Sequence, residues 1–389
     1  MLENTVTTFV QSKSGRKLSS RRVLFHLPER LVGYNASSEE VIQTNLSPVS
    51  VAICPTPACV RECTFCSNQK RNKENINRRL TITPSKFIGL IGALVKLEVK
   101  GVSVAGGGEP LVYKGPIAKN LFLKDNPPFK IGIHTNGVLL KKILNERIFK
   151  NGNIAYINVS VVAHTSKLYT KVCNASGKQF FSIERNILDA IELKNYTGSS
   201  IEIGVKILLC RENSFFAFEI FNYFKNIGVD NILIRCVGNF EPGQDVELLP
   251  EQINYLKDVF RNNLCMNDDQ IAAVTGFNPD ILPIPSRCWI YALQYTAGVD
   301  PDGETYLCSP WSHKEYSIGN INQSNLRDIW GSDRHKLVAA TLNKNLRSGK
   351  CSPLLCRHYY SNLAIDAFIA GLIDALPKEE MEKGYGRFI

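Results

Sequence analysis

Short aliphatic and β-branched runs recur between residues 49 and 238, and amphipathic stretches separate them. The apolar runs show no alternation with polar residues, which is typical of strands buried on both faces of a sheet. They predict six strands, at residues 49–54, 101–106, 129–137, 155–162, 201–209 and 231–238.

Apolar residues at helical spacing occupy the intervals between these runs. The clearest helix should begin after Thr83, a typical N-cap residue, with Pro84 in its first turn. Three further helices are predicted at 180–195, 213–228 and 249–263. Strand–helix alternation of this kind predicts a parallel sheet with right-handed crossovers. Because a closed eight-unit barrel would need two more units, we expect an α/β fold, an open TIM-like (β/α)6 partial barrel, with its chemistry at the carboxyl ends of the strands.

The pattern changes after about residue 280, where "DPDGE" predicts a hairpin turn and cysteines follow at wide spacing. We therefore divide the chain into an N-terminal extension (1–48), a partial barrel (49–280), a small cysteine-rich α+β unit (281–360) and a C-terminal helical tail (361–389). The small unit has few core residues of its own, and such units commonly depend on a metal or a disulfide. The extension is expected to pack on the barrel or on the C-terminal unit.

The composition is that of an ordinary soluble globular protein, with 44% hydrophobic and 21% charged residues. It contains no apolar signal segment and no run of about 18 apolar residues, so we expect a cytoplasmic protein without membrane contact. Twelve cysteines in a reducing compartment indicate metal ligands, catalytic thiols or core residues rather than disulfides. The formal charge of +10 is compatible with a nucleic acid, an acidic peptide or an anionic cofactor as partner, or simply with a lysine-rich surface.

Three cysteines lie close together directly after the first predicted strand. Cys59, Cys63 and Cys66 have the spacing C-x3-C-x2-C, and only Cys54, at the strand end, is near enough to be a fourth ligand. A structural zinc site usually takes four ligands from two separate pairs. Three thiolates can instead hold a cubane cluster and leave one iron open for a substrate or cofactor. The basic stretch at 67–79 is expected to be an exposed loop or to contact an anionic substrate.

With the aromatic residue Phe65 before its last cysteine, this loop resembles the signature of the radical S-adenosylmethionine (radical SAM) superfamily. The resemblance implies a [4Fe–4S] cluster on the three thiols, with the amino and carboxylate groups of S-adenosylmethionine on the fourth iron. The second strand ends in a segment similar to the superfamily's site for the methionine amino group, formed by Gly106, Gly107, Gly108, Glu109 and Pro110. Glycines permit close backbone approach, and Glu109 supplies an anion for an ammonium group.

Further strand-end residues fall where the resemblance implies cofactor contacts. His134 and Asn136 end the third strand and Ser160 ends the fourth, where they are expected to meet the ribose and the carboxylate. Arg235 ends the sixth strand and is expected to meet a carboxylate. Lys206 lies within the fifth strand and either points into the barrel towards the ligand or belongs to an edge strand.

The C-terminal cysteines resemble the auxiliary-cluster extension known as the SPASM or twitch domain. Cys288 is followed by a hairpin with G-x4-C spacing that ends at Cys308, by "GNINQSNLRDIW" at 319–330, and by a closing pair of cysteines. With only four suitable cysteines, the shorter twitch form is expected, with one auxiliary [4Fe–4S] cluster on Cys288, Cys308, Cys351 and Cys356. The closing pair is spaced C-x4-C where C-x2-C is more usual, and a zinc site on the same thiols is the alternative.

Five cysteines lie outside both sets. Cysteine is among the most buried residue types, so inert core or strand-end positions are expected for Cys54, Cys173, Cys210 and Cys265. Cys236 differs because it ends the sixth strand, facing the expected site. It is a candidate hydrogen-atom donor to a substrate radical, as in radical epimerases.

The resemblance implies reductive cleavage of S-adenosylmethionine to a 5′-deoxyadenosyl radical, which abstracts a hydrogen atom from a substrate carbon. It also implies an external reductant such as flavodoxin or ferredoxin, and an auxiliary cluster that either accepts a substrate electron or is structural. Because residues 1–48 are short for the leader-recognition domain of many peptide-modifying relatives, we expect a small biosynthetic molecule, such as an amino sugar or cyclitol, that is oxidised, epimerised or dehydrated. The alternatives are a ribosomally made peptide, an RNA substrate, and a non-enzymatic zinc protein.

Overall fold

The structure is a computed structural model. It describes residues 9–12, 20–32, 46–66, 68–238, 246–266, 271, 274–275, 283–309, 311–351, 356 and 358–373. None of the helices in these ranges is both long enough and apolar enough to cross a membrane.

Ten strands within the described residues form one sheet. In chain order they are β1 (Phe9–Ser12), β2 (Ser50–Ile53), β3 (Gly101–Val104), β4 (Lys130–Thr135), β5 (Ile154–Val161), β6 (Glu202–Leu209), β7 (Asn231–Cys236), β8 (Thr296–Val299), β9 (Glu304–Tyr306) and β10 (Ser317–Asn320). Their order across the sheet is β1-β7-β6-β5-β4-β3-β2-β8-β9-β10. Strands β2 to β7 are the six predicted ones, and each is parallel to the next. The predicted parallel sheet of a (β/α)6 partial barrel is confirmed.

The described helices are α1 (Leu27–Leu31), α2 (Gln69–Asn77), α3 (Pro84–Lys96), α4 (Glu146–Asn151), α5 (Ser166–Cys173), α6 (Lys178–Thr197), α7 (Ala217–Ile227), α8 (Pro250–Asn262), α9 (Trp289–Ala292), α10 (Leu326–Ile329), α11 (Asp333–Arg347) and α12 (Tyr359–Ile369). The four predicted helices correspond to α3, α6, α7 and α8. The Thr83 hydroxyl caps α3 by accepting a hydrogen bond from the Lys86 amide at 3.4 Å.

One prediction of local structure is wrong. The basic stretch after the cysteine loop was expected to be an exposed loop, but most of it forms the helix α2. Although the sequence of α2 is polar, one face of this helix is buried. Asn72 and Asn75 on that face are both less than 10% exposed. The Asn72 side-chain amide donates a hydrogen bond to the Gly107 carbonyl, so this helix packs on the glycine segment.

The C-terminal segment continues the barrel sheet. Strand β8 pairs with β2 in parallel, and β9 and β10 follow as antiparallel neighbours. The predicted hairpin turn lies between β8 and β9, where the Gly303 amide bonds the Asp300 carbonyl at 2.9 Å and Gly303 has a φ of +86°. Because β8 adjoins β2, this turn is placed beside the cysteine loop that leaves β2.

The described parts of residues 1–48 contact both the barrel and the C-terminal segment. Strand β1 pairs antiparallel with β7 at the sheet edge. Arg30 in α1 is buried, and its guanidinium donates to the carbonyls of Leu293 at 2.6 Å and Ser47 at 2.7 Å. The same guanidinium lies 4.8 Å from the centre of the Tyr295 ring. This segment therefore helps to fix the C-terminal part against the barrel.

Candidate functional site

A cavity of about 1310 Å³ opens at the carboxyl ends of the parallel strands. Every residue predicted for the first cluster and for S-adenosylmethionine lines it: Cys59, Cys63, Phe65, Cys66, Gly106, Gly107, Gly108, Glu109, Pro110, His134, Asn136, Ser160, Lys206 and Arg235. The volume exceeds the usual range of about 300–1,000 Å³ for a small-molecule pocket. One cavity therefore has room for a cofactor and a substrate together.

Backbone hydrogen bonds hold the cysteine loop against two other segments. On one side, the Glu109 amide donates to the Ala58 carbonyl at 2.8 Å, which joins the glycine segment to the residue before Cys59. On the other side, the amides of Glu62 and Thr64 donate to the last carbonyls of α5 at 3.2 and 3.1 Å. These carbonyls lack partners inside the helix, so the loop also completes the end of α5.

The glycine segment lies too close to the cysteine loop for side chains. A Cβ atom added to Gly108 would lie 2.5 Å from the Pro57 carbonyl carbon and 2.7 Å from its oxygen, and closer still to the Ala58 oxygen. A Cβ at Gly107 would lie 2.9 Å from the Asn72 side-chain oxygen. Gly108 is therefore required for the close approach of two backbone segments, whereas Gly107 makes room for the Asn72 side chain.

Glu109 is a buried carboxylate held by three donors. It accepts hydrogen bonds from the Thr135 hydroxyl at 2.7 Å, the Asn136 amide at 2.7 Å and the Leu111 amide at 3.1 Å. Burial nevertheless raises the pKa of Glu109, and these bonds and the nearby Arg61 only partly oppose that rise. A bound ammonium group would favour the charged form of this carboxylate.

Asn136 joins Glu109 to the first cysteine. Its backbone N–H donates to Glu109, and its side-chain amide donates to the Cys59 sulfur at 3.7 Å. His134, two residues earlier on β4, lies 3.1 Å from the Tyr156 hydroxyl through Nε2. At the end of β4, Asn136 thus links Glu109, the expected anion, to Cys59, an expected cluster ligand, through two hydrogen bonds.

Two residues that sequence reasoning missed lie behind the cysteine loop. Arg61 is 8% exposed and donates to the Asn136 carbonyl at 2.5 Å and to the Cys173 sulfur at 3.4 Å. A hydrogen bond with Cys63 lowers the pKa of Cys173 to about 7, and Arg61 acts in the same direction while burial opposes both. Cys173 is completely buried, as expected for a core cysteine, whereas Cys265, which was also expected in the core, is exposed. The only signal in the sequence was an arginine between two ligand cysteines.

Lys206 and Arg235 place positive charge on the barrel wall. Lys206 lies in β6, which pairs with β5 and β7, so the alternative of an edge strand is wrong and the side chain lines the cavity. Cys236 lines the cavity beside Arg235, and burial raises the pKa of its thiol to about 12. Cys236 therefore stays protonated at neutral pH, which a hydrogen-atom donor requires.

The β8–β9 turn also lines the cavity. The Arg71 guanidinium in α2 donates to the Asp300 carboxylate and to the Ser312 hydroxyl, each at 2.8 Å. Burial raises the pKa of Asp300 to about 6, and Arg71 opposes that rise. Helix α2 therefore connects the cysteine loop to the C-terminal hairpin.

The four C-terminal cysteines come together at a second place. Cys288 and Cys308 are buried, and Cys351 and Cys356 are half-buried. Burial raises the pKa of Cys288 well above its usual value, and the other three thiols raise it further, which shows their proximity. Four thiols that would repel one another as thiolates suit a bound iron–sulfur cluster. Within the described ranges, no three His, Cys, Asp or Glu side chains are arranged to hold a single metal ion.

Two side chains hold Cys288 in place. Its amide donates to the Asn343 side-chain oxygen at 3.1 Å, and the Asn362 side-chain amide donates to its sulfur at 3.8 Å. Asn362 is 1% exposed and lies in α12, so the last described helix supports this site. Burial raises the pKa of the Cys351 thiol, and a hydrogen bond with the Trp311 side chain opposes that rise.

Family profiles agree with both sites. The profile of the radical SAM superfamily matches residues 53–205, and that of the SPASM iron–sulfur cluster-binding domain matches residues 288–357. Together these matches span more than half of the chain. The chain therefore belongs to the radical SAM superfamily and carries a SPASM iron–sulfur domain, as the cysteine spacing predicted. This finding removes the alternative of a non-enzymatic zinc protein.

The curated relatives described here share less than 30% of their aligned residues with this chain. The chain is 23% identical over 304 residues to the tungsten-containing aldehyde ferredoxin oxidoreductase cofactor-modifying protein of Pyrococcus furiosus, covering 72% of this chain and 80% of that protein. It is 29% identical over 140 residues to a probable GTP 3′,8-cyclase of Methanococcus vannielii, which covers 36% of this chain and 43% of the relative.

Solved structures confirm the fold. Streptococcus suis SuiB bound to precursor peptide SuiA has a TM-score of 0.54 at 16% identity, covering 82% of this chain and 71% of SuiB. The enzyme anSMEcpe with bound AdoMet and a Kp18Cys peptide has a TM-score of 0.55 at 15% identity, covering 87% of this chain and 98% of anSMEcpe.

Proposed function

We propose that this enzyme removes a hydrogen atom from a substrate carbon in the cavity at the carboxyl ends of the strands. Cys59, Cys63 and Cys66 would hold the first [4Fe–4S] cluster, and the Gly106–Gly108 backbone with Glu109 would bind S-adenosylmethionine. When bound, these groups supply the 5′-deoxyadenosyl radical that performs the abstraction. The observation that carries the proposal is the Asn136 bridge, which sets Glu109 beside Cys59.

The chain's own residues suit this role. Glu109 offers a buried anion to the methionine ammonium group, and Lys206 and Arg235 offer cations for a carboxylate in the same cavity. Asn136 donates to a ligand sulfur, and a donor of this kind stabilises negative charge on a thiolate. His134 and Ser160 complete the wall where a ribose would lie.

The auxiliary site supports a net oxidation. Cys288, Cys308, Cys351 and Cys356 would hold a second cluster, and donors from Asn362 and Trp311 to two of these sulfurs would raise its reduction potential. A cluster with a raised reduction potential would be suited to accept the electron left on a substrate. An external reductant such as flavodoxin or ferredoxin would supply the first electron.

Three substrate classes are considered, namely a small molecule such as an amino sugar or cyclitol, a ribosomally made peptide, and an RNA. The size of the cavity and the structures of SuiB and anSMEcpe with peptides favour the peptide. An RNA substrate is supported only by the charge of +10.

Anaerobic reconstitution tests the proposal. We expect about eight irons per chain for two [4Fe–4S] clusters, and 5′-deoxyadenosine on reduction with S-adenosylmethionine. Cys63→Ala should abolish cleavage, whereas Cys308→Ala should keep some uncoupled cleavage. Cys265→Ala is the matched control, because Cys265 is exposed and belongs to neither set. Two zinc ions with no cleavage, or equal complete loss in a folded Cys308 variant, would contradict the assignment.

Deuterated candidate substrates identify the molecule and the carbon, because the label is transferred to 5′-deoxyadenosine. Amino sugars, cyclitols and precursor peptides are the first to test. RNA is tested by binding at increasing salt concentration, since phosphate contacts weaken steeply with salt.

A further inference from the structure

Arg61 is a buried cation inside the loop that carries the three cysteines of the first cluster. It stands two residues after Cys59 and two before Cys63, and it is only 8% exposed. Arginine is almost never buried to this extent unless its charge is balanced. None of the roles proposed above uses this side chain. Its burial therefore points to a negatively charged partner close to the loop.

The groups that touch the Arg61 guanidinium are not carboxylates. It donates hydrogen bonds to the carbonyls of Asn136 at 2.5 Å and Ser160 at 3.4 Å, and to the Cys173 sulfur at 3.4 Å. Its central carbon lies 5.7 Å from the centre of the Tyr169 ring. These four contacts fix the orientation of the side chain. A buried charge that is hydrogen-bonded but not paired nevertheless remains costly.

No carboxylate in the described part of the chain forms an ion pair with Arg61. The neighbouring Glu62 is exposed. Glu109 feels the charge of Arg61, but its oxygens accept hydrogen bonds from three other donors. In the proposed function, its charge also balances the ammonium group of S-adenosylmethionine. The charge that balances Arg61 must therefore come largely from another group.

Two hydrogen-bonded paths connect Arg61 to ligand sulfurs. Asn136 accepts from Arg61 through its carbonyl and donates through its side-chain amide to the Cys59 sulfur at 3.7 Å. Cys173 accepts from Arg61 through its sulfur and is also hydrogen-bonded to Cys63. A cluster held by thiolates carries net negative charge, which increases when the cluster is reduced. The first cluster is therefore the anion that the position of Arg61 fits.

We propose that Arg61 is a positioning residue of the first cluster, which orients Asn136 and Cys173 towards the ligand sulfurs and favours the reduced cluster by its charge. A fixed positive charge stabilises an added electron, so the reduction potential is higher than it would be without that charge. The electron of the external reductant is then easier to accept. The inference rests on the proposed function, because it concerns the cluster that this function requires.

Two substitutions separate the charge of Arg61 from its hydrogen bonds. Arg61→Gln removes the charge and keeps a side-chain amide as donor for the Asn136 carbonyl. Arg61→Lys keeps the charge and loses the planar fork of the guanidinium. Arg147→Gln is the matched control, because Arg147 is exposed on α4 and its loss changes the net charge equally.

Redox titration of the anaerobic holoenzyme, followed by electron paramagnetic resonance, measures the potentials. The signal that changes when S-adenosylmethionine is added belongs to the first cluster. In Arg61→Gln, reduction of this cluster should be about tenfold less favourable, which is about 59 mV for a one-electron couple. Arg61→Lys should remain close to the wild type, and Arg147→Gln should equal it. The auxiliary cluster lies on other segments and should keep its potential in every variant.

An unchanged potential of the first cluster in Arg61→Gln would overturn the inference. Equal falls in Arg61→Gln and Arg61→Lys, or a similar fall in Arg147→Gln, would overturn it as well. Loss of the first cluster from Arg61→Gln but not from Arg61→Lys supports the role of the charge, whereas loss from both contradicts it. Reductive cleavage of S-adenosylmethionine by the wild type, measured separately, shows whether the proposed function itself has failed.

Discussion

Replacing Gly108 by alanine tests the close approach of the glycine segment to the cysteine loop. The added Cβ would lie 2.5 and 2.7 Å from the carbonyl carbon and oxygen of Pro57, where real Cβ atoms keep at least 3.0 Å. Both atoms belong to the backbone, so no side chain can turn aside to make room. The two segments must separate by several tenths of an ångström, and the 2.8 Å bond from the Glu109 amide to Ala58 would be stretched.

Forcing one extra carbon into a well-packed region costs about 1–3 kcal/mol. If this strain is relieved by moving the cysteine loop away from Glu109, affinity for S-adenosylmethionine should fall by about 5- to 160-fold. The auxiliary site lies on other segments, so its cluster should be retained. Iron content and electron paramagnetic resonance of the reduced enzyme distinguish the two clusters, and equilibrium dialysis measures the affinity.

Gly92→Ala is the matched control, because Gly92 lies on the exposed side of α3 and an added Cβ there meets nothing within 4 Å. That variant should bind S-adenosylmethionine normally and should be more stable by up to about 1 kcal/mol, since alanine favours a helix. Normal affinity in a folded Gly108→Ala protein would refute the reasoning.

Three further predictions concern other parts of the molecule. Asn362→Leu removes a donor to the Cys288 sulfur, so the midpoint potential of the auxiliary cluster should fall; an unchanged potential in spectroelectrochemistry would rule out this influence. Cys236→Ala should abolish solvent-derived deuterium in the product if the enzyme returns a hydrogen atom to its substrate, and labelling equal to that of the wild type would exclude the thiol as donor. Because burial raises the pKa of Asp300 to about 6, the unfolded state binds fewer protons and stability falls as pH rises. Between pH 5 and pH 7.5, the wild type should lose about 1 kcal/mol more unfolding free energy in urea melts than Asp300→Asn, and equal slopes would contradict the shift.

The sequence alone was sufficient for the barrel strands, and it also predicted the two cysteine sets. Runs such as 201–209 are mostly apolar, and burial of such a run in a parallel sheet follows from its composition. The spacing of Cys59, Cys63 and Cys66 is likewise local, because three ligands on one short loop need no distant contact to come together. The N-cap at Thr83 could be predicted for the same reason, because a capping side chain bonds a backbone amide within four residues.

Helix α2 shows where local patterns failed. Its sequence is polar, and polarity alone predicts an exposed loop. Asn72 is buried only because the Gly107 carbonyl, 35 residues away, accepts a hydrogen bond from its side chain. A polar side chain can be buried when such a partner exists, and the sequence does not show the partner.

The surroundings of the clusters were decided by tertiary structure. Arg61 meets Cys173 across 112 positions, and Arg71 meets Asp300 across 229. These pairs depend on the order of strands in the sheet, which brings α5 behind the cysteine loop and places β8 beside β2. The sequence by itself therefore determined which residues can carry the chemistry, because ligand spacing and strand burial are local. Only the tertiary structure decided what surrounds them, because the charge and desolvation of a site are set by residues distant in the chain.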